Sequence, residues 1–187
     1  MDIDPETARA LGFPSPAYTA VERERRWLCH EVPRGLILQS EVITDLYVTG
    51  SRLRLREARM IGSGMAKLRL SRKADVDTRT RLITSIYLPE EEFALLSAAL
   101  SGVRLRKLRH RLQSPPGVLM SLDEFQDALA GLVVVEAEFA SDDLMAGFSA
   151  PAFASQEVTE DRRFSGASLA LHGLPRELRH GARPSAA

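Results

Sequence analysis

The chain has 187 residues, with 25 Lys and Arg against 25 Asp and Glu and a hydrophobic content of 44%. That length supports one domain with a substantial core. Zero net charge argues against a general nucleic-acid or membrane-surface binder, which carries a basic excess.

A single cysteine, Cys29, excludes an internal disulfide and fits a reducing compartment, with a buried structural thiol as the expected role. Residues 1–19 lack the basic and apolar regions of a signal peptide, and no apolar run approaches the length of a membrane span, so a cytoplasmic location is expected. The charges are segregated: Arg and Lys crowd residues 51–73 and 104–111, and acids gather near 120–161.

Residues 1–19, with Pro5, Pro14 and Pro16, read as an irregular or partly helical lead-in. A first strand is predicted from about Tyr18 to Glu31. Within it Glu22, Glu24 and Arg26 fall on one face, because strand side chains alternate with a period of two. Such a row makes a poor core face, since buried unpaired charge is costly. It needs water, partners from other strands, or a charged ligand with its metal. Pro33-Arg34-Gly35 signals a turn. A second strand covers about Leu36 to Val48, and Thr49-Gly50-Ser51 makes a tight turn.

The third strand, Arg52 to Arg56, puts three guanidiniums on one face and two leucines on the other; an edge strand with a solvated polar face reads equally well from this segment alone. Gly62-Ser63-Gly64 leads into a fourth alternating strand, Lys67 to Lys73, and Thr80 to Leu88 is a fifth, rich in β-branched residues. Pro89 and Glu90 to Glu92 open a helix through about Leu100, with proline in the first turn and acids at its positive end. Its apolar face is expected to carry Phe93, Leu96 and Leu100.

A sixth strand follows Gly102 and runs to about Leu112, with Lys107, Arg109 and Arg111 on one face. After Ser114-Pro115-Pro116-Gly117, a seventh runs from Val118 to Phe125 and contains Asp123. The eighth, Val133 to Phe139, carries Glu136 and Glu138 on one face and Val133, Val135, Ala137 and Phe139 on the other. Ser141-Asp142-Asp143 starts a short helix to about Phe148. Glu157 to Thr159 reads as extended, Phe164 to Leu171 ends in a helix capped by Gly173, and the tail from Gly181 reads as disordered.

Eight strands with mostly short connections and few helices predict an α+β, mainly β chain: an eight-stranded antiparallel β-barrel with a few covering helices. Two orientations remain open. Either the apolar faces fill the barrel and the charges face solvent, or the charges line a wet interior and the helices at 89–100, 141–148 and 165–172 cover the apolar outside. The second requires an interior holding water, metal and anion.

The ordered set of charged strands resembles the CYTH domain family, the triphosphate tunnel metalloenzymes. Glu22 to Leu28 is similar to its Glu-x-Glu-x-Lys opening, Arg54-Leu55-Arg56 to its Arg-x-Arg strand, and Leu70 to Lys73 to its Leu-Thr-x-Lys. Lys107-Leu108-Arg109, Leu122 to Phe125, Gly131 to Phe139 and Glu157 to Phe164 resemble the later landmarks, so the likeness covers roughly residues 20–171. It implies the triphosphate tunnel fold over residues 20–174, between the lead-in 1–19 and a tail 175–187.

The resemblance also implies Mg²⁺ or Mn²⁺, a triphosphate-bearing small-molecule substrate and metal-dependent hydrolysis, most plausibly of inorganic triphosphate. By residue-wise match, Glu22, Glu24, Glu136 and Glu138 are the expected metal ligands. Arg54, Arg56, Lys73, Lys107, Arg109 and Arg163 are the expected phosphate grip, and Arg26, Tyr47 and Asp123 the expected catalytic set. Hard divalent cations prefer carboxylate oxygens, and Arg matches phosphate with bidentate geometry. A non-catalytic polyphosphate or nucleoside-triphosphate binding module, or a class IV-type adenylate cyclase, are the alternatives. A nucleic-acid-binding barrel using Arg104 to Arg111 is disfavoured, no membrane partner is expected, and a homodimer is left open.

Two departures matter. Arg26 stands where the family has Lys, and Arg cannot serve as a general base. The fifth strand lacks the carboxylates that many members carry. His30, His110, His172 and His180 show no metal-ligand spacing, and Arg104, Arg106, His110 and Arg111 are expected on the outer face or rim.

Overall fold

The computed structural model describes residues 3–13, 15 and 18–178; Pro14 and Pro16 of the expected lead-in and the tail from Gly181 lie outside the described residues. The strands are β1 (Ala20–Cys29), β2 (Ile37–Val48), β3 (Leu53–Met60), β4 (Ala66–Asp75), β5 (Thr80–Tyr87), β6 (Gly102–Leu112), β7 (Val118–Phe125), β8 (Val133–Phe139) and β9 (Ala154–Glu157). The helices are α1 (Pro5–Ala10), α2 (Glu90–Ala99), α3 (Asp142–Gly147) and α4 (Gly166–His172).

Neighbouring strands run in the order β5-β4-β3-β2-β6-β7-β8-β1-β9, and a further pairing of β5 with β1 closes the first eight into a barrel. All the pairings are antiparallel. The expected eight-stranded barrel is therefore present, with β9 as an additional short strand beside the second half of β1.

β1 is the seam. Its first residues pair with β5, from Ala20 opposite Ile83 to Arg23 opposite Thr80, and Glu24 to Leu28 pair with β8. Alternation along β1 separates two jobs. Glu22, Glu24 and Arg26 line the interior. Arg23, Arg25 and Trp27 fasten the outer cover. Arg23 Nε donates to Asp142 Oδ1 at 3.1 Å, at the start of α3. Arg25 donates to both carboxylate oxygens of Glu157 at 2.9 and 2.7 Å and to the carbonyl of Phe148 at 2.7 Å.

The core is divided accordingly. Outside the barrel wall, Trp27 packs with Met120, Leu122, Val135, Ala137, Phe139 and Phe153 under Met145 and Phe148. Each large apolar side chain buried there contributes about 1.5–3 kcal/mol. Inside one end of the barrel, Leu105, Phe125, Val134, Phe164 and Leu169 form a second cluster beside α4, with Leu28 and Tyr47 against it. A third cluster joins Phe13, just past α1, to Ala74 and Leu82, with the Arg72 guanidinium 4.6 Å from the Phe13 ring centre.

α3 covers the apolar outside as expected; α4 instead closes one end of the barrel, with Leu169 on the inner cluster, and α2 covers nothing: it has no buried residue, and Leu95 is exposed. Three consecutive glutamates start this helix, and its apolar residues are too scattered around the axis to make a continuous stripe. Gly102, expected just before the sixth strand, is the first residue of β6, where an added Cβ would lie 2.3 Å from the Tyr47 carbonyl oxygen.

Candidate active site

The charges line the interior. Two cavities, of about 510 and 400 Å³, open from opposite stretches of the barrel and share Glu24, Arg54, Arg56, Lys73, Arg109 and Glu136. They read as two halves of one channel. The larger opens beside the turn from β2 to β3 and the start of α4; the smaller opens beside Glu22, Glu41, Arg111 and Glu138. Twelve lysines and arginines line the two halves, against six carboxylates. That excess of positive charge makes the lining suited to an anion.

The strand registers explain how these groups meet. Tyr47 lies opposite Arg54, and Asp45 opposite Arg56, across the β2–β3 turn. Asp45 is fully buried and accepts from Arg56 Nε at 2.6 Å and Arg56 Nη2 at 2.7 Å, with Arg54 Nε at 3.7 Å. Burial opposes its ionisation, but Arg56 and Arg54 outweigh it and hold the carboxyl well below the usual range.

Asp123 on β7 plays the same part for β6. It accepts from Lys107 at 2.5 Å and from both Arg109 Nε and Nη2 at 2.7 Å. At 1% exposure it sits behind these cations and lines neither cavity. Arg109 also donates to Glu136 at 2.6 Å.

On β1, Arg26 donates to Glu136 at 3.2 Å and contacts Glu24, which Arg81 also approaches at 2.7 Å. Lys73 donates to Glu22 at 2.5 Å, and its ammonium is pushed down to about 7, first by burial and then by Arg54. Glu138 goes the other way: burial and the Glu22 carboxylate hold its pKa above the ordinary value. Among the described residues, the buried atoms Glu24 Oε1, Arg54 Nε and Arg81 Nε sit beside ion-pair partners without meeting hydrogen-bond geometry. All three belong to cavity-lining side chains.

Tyr47 lines the larger cavity, its hydroxyl pressed against α4. A Cβ added at Gly166 would lie 2.1 Å from Tyr47 Oη. Gly166→Ala is expected to displace the ring or the helix and to cost about 1–3 kcal/mol in a chemical melt, the range for overpacking. A melt identical to wild type would show that the contact is slack.

Of the sequence-predicted residues, Glu22, Glu24, Arg26, Tyr47, Arg54, Arg56, Lys73, Lys107, Arg109, Glu136 and Glu138 line the channel. Arg163 stands apart: it pairs with Asp161 at 2.7 Å and Glu177 at 2.6 Å on the exterior, while its neighbour Arg162 reaches the mouth. Arg111 lines the smaller cavity rather than only the outer wall. His110 is on the outside, bridging Ser40 Oγ and Glu124 Oε1 at 2.7 Å each. Cys29 is half-buried, and burial pushes its thiol up to about 11, which removes it as a nucleophile.

Sequence reading missed Asp45, Arg69 and Arg81. The signal for Asp45 was its spacing: two residues before Tyr47, facing Arg56 once the tight turn sets the register.

No family model matches the sequence. The chain is 40% identical over 80 residues to an inorganic triphosphatase of Nitrosomonas europaea; the aligned part is 43% of this chain and 53% of the relative, about half that protein's length. Its fold matches the crystal structure of the hypothetical protein NE1496 with a TM-score of 0.57 at 30% identity, over 80% of this chain and 97% of that one. A structure of the inorganic triphosphatase NE1496 gives 0.56 at 29%, covering 80% and 94%. The PH1819 protein of Pyrococcus horikoshii shares the fold, with a TM-score of 0.54 at 21% identity over 67% of this chain and 82% of that one.

The chain belongs to the CYTH family.

Within a CYTH barrel the acids on β1 and β8 are placed to face one another, with Glu24 opposite Glu138 in register. Among the described residues no three His, Cys, Asp or Glu side chains are gathered into a ready metal cage. The donor set nevertheless fits a hard cation. Glu22 lies close enough to raise the pKa of Glu138, and both open into the smaller cavity. Mg²⁺ typically uses only one or two protein carboxylates and completes its shell with water and substrate phosphates. Among the described residues no helix is long and apolar enough to cross a membrane.

Proposed function

We propose that this CYTH chain hydrolyses inorganic triphosphate inside the channel, with Mg²⁺ or Mn²⁺ as cofactor. The observation that carries the reading is the excess of lining cations over carboxylates, held in place by buried aspartates. The similarity to an inorganic triphosphatase supports it.

Arg54, Arg56, Lys73, Lys107 and Arg109 grip the phosphates. Their charges offset those of the polyanion and of the transition state, where positioning and electrostatics supply most of the catalysis. Asp45 and Asp123 position these cations from behind. Glu22 and Glu138, with Glu136 and Glu24 nearby, hold the cation, which when bound polarises phosphoryl oxygens and neutralises charge. Water attacks a terminal phosphorus, the bond to the bridging oxygen breaks, and orthophosphate and pyrophosphate leave. Arg26 remains protonated and acts by charge, orienting Glu136 and Glu24. Tyr47 offers its hydroxyl from the α4 side.

Release of orthophosphate from inorganic triphosphate, thiamine triphosphate and ATP, with Mg²⁺ and with Mn²⁺, tests the reading. Turnover is expected with inorganic triphosphate and the metal. Tight binding with no turnover of any of them would favour a binding module, the reading that Arg26 in place of an amine supports. No binding at all would sink both.

A further inference from the structure

The two ends of the channel differ in a way the triphosphate reading does not use. The smaller cavity carries Glu22, Glu41 and Glu138 at its mouth. The larger ends on two arginines from separate segments: Arg52, just before β3, and Arg162, in the helical turn Arg162–Phe164 that precedes α4. Deeper guanidiniums have carboxylates beside them: Asp45 for Arg54 and Arg56, and Glu24 and Asp75 for Arg81. Arg52 and Arg162 are exposed and form no ion pair among the described residues; the Arg52 guanidinium donates to the Leu11 carbonyl at 3.4 Å. Of the three carboxylates lining that cavity, Glu24 and Glu136 belong to the stretch it shares with the smaller one, and Asp75 is engaged by Arg81 at 3.0 Å.

We propose that Arg52 and Arg162 form an additional anion subsite that takes the fourth phosphate of a linear inorganic polyphosphate. This rests on the triphosphate reading of the channel and extends it. A chain held by the shared cations Arg54, Arg56, Lys73 and Arg109 continues toward the end where Asp75 is paired with Arg81 and Asp77, near Arg162, accepts from the Arg79 and Thr80 backbone amides. A further phosphate supplies what both guanidiniums lack, and Arg engages it with charge-assisted, bidentate bonds. A neutral sugar or thiazolium there would leave them without a counter-charge. The acid-bearing end keeps the metal, so the substrate lies in one direction.

Calorimetry with linear tetrapolyphosphate, tripolyphosphate and ATP, on wild type and on R52Q/R162Q, tests the subsite without added metal. Wild type is expected to bind tetrapolyphosphate about fivefold to tenfold more tightly than tripolyphosphate, the scale for two partly solvated ion pairs. The double variant is expected to lose that preference while keeping its tripolyphosphate affinity within about twofold, which also shows that it is folded. Equal affinities in wild type would overturn the subsite, as would an equal loss for both polyphosphates in the variant. A loss confined to ATP would overturn it in favour of a nucleotide. Failure of wild type to bind either polyphosphate would instead defeat the triphosphate reading and take the subsite with it.

Discussion

Asp45→Ala is expected to destabilise the folded chain by about 3–5 kcal/mol, the cost of leaving a buried charge without its partner. Total stabilities are of the order of 5–15 kcal/mol, so a loss of that size decides whether the barrel stays folded. Two short bonds from Arg56 and the nearby Arg54 guanidinium all converge on this one carboxylate. A urea melt measures the loss. Adding inorganic triphosphate should restore more stability to the variant than to wild type, because the anion replaces the missing charge.

The pH dependence has a definite sign. The native carboxyl is depressed well below its unfolded value of about 3.9, so its stabilisation is complete above that value. It is lost only as pH falls through the depressed native range. The gap between wild type and Asp45→Asn should therefore stay constant at neutral pH and close only in strong acid. A gap that closes near pH 6 would mean that another group is responsible.

Glu138→Ala is expected to lower metal-dependent triphosphate hydrolysis by roughly 100-fold, the usual scale for losing a metal-supporting group or a charge at the reaction centre. Stability should hold or rise slightly, because partial burial and the facing Glu22 carboxylate both disfavour the ionised Glu138. That combination separates a site residue from a structural one. Phosphate release across a Mg²⁺ titration, read beside a melt, gives both numbers. Unchanged activity at every Mg²⁺ concentration would remove Glu138 from the site.

Period-two patterns made much of this legible beforehand. β7 runs from Val118 to Phe125 as predicted, and the row Glu22, Glu24, Arg26 faces inward. Alternation alone left the charges either inside or outside; the family resemblance favoured the interior. What stayed hidden were residues whose role depends on a neighbour across the sheet. Asp45 is one of two acids on a mixed strand, and only pairing with β3 shows that it holds Arg56. Arg81 belongs to a strand noted for lacking acids, yet it supplies the counter-charge for Glu24 on β1. The extended stretch expected at Glu157 to Thr159 lies earlier, as β9 over Ala154–Glu157; four residues are too few to show a period. Arg163 matched the motif by position, but the tight turn that starts at Arg162 sends its side chain outward.

Because β1 is both the closing strand and the bearer of Glu22, Glu24 and Arg26, the shell and its chemistry come into being in a single event. Its partners lie far downstream, with Glu22 against Arg81 and Glu24 against Glu138. Such distant pairings carry a high loop-closure cost and tend to form late. Until the seam zips, the cations of β3, β4 and β6 lie on an open, curled ribbon that can still attract polyanions but has no enclosed chamber. A one-residue misalignment on zipping would turn the acidic row to the outside and present Arg23, Arg25 and Trp27 to the lumen. Correct registration is thus itself the switch between a sticky basic surface and a working vessel.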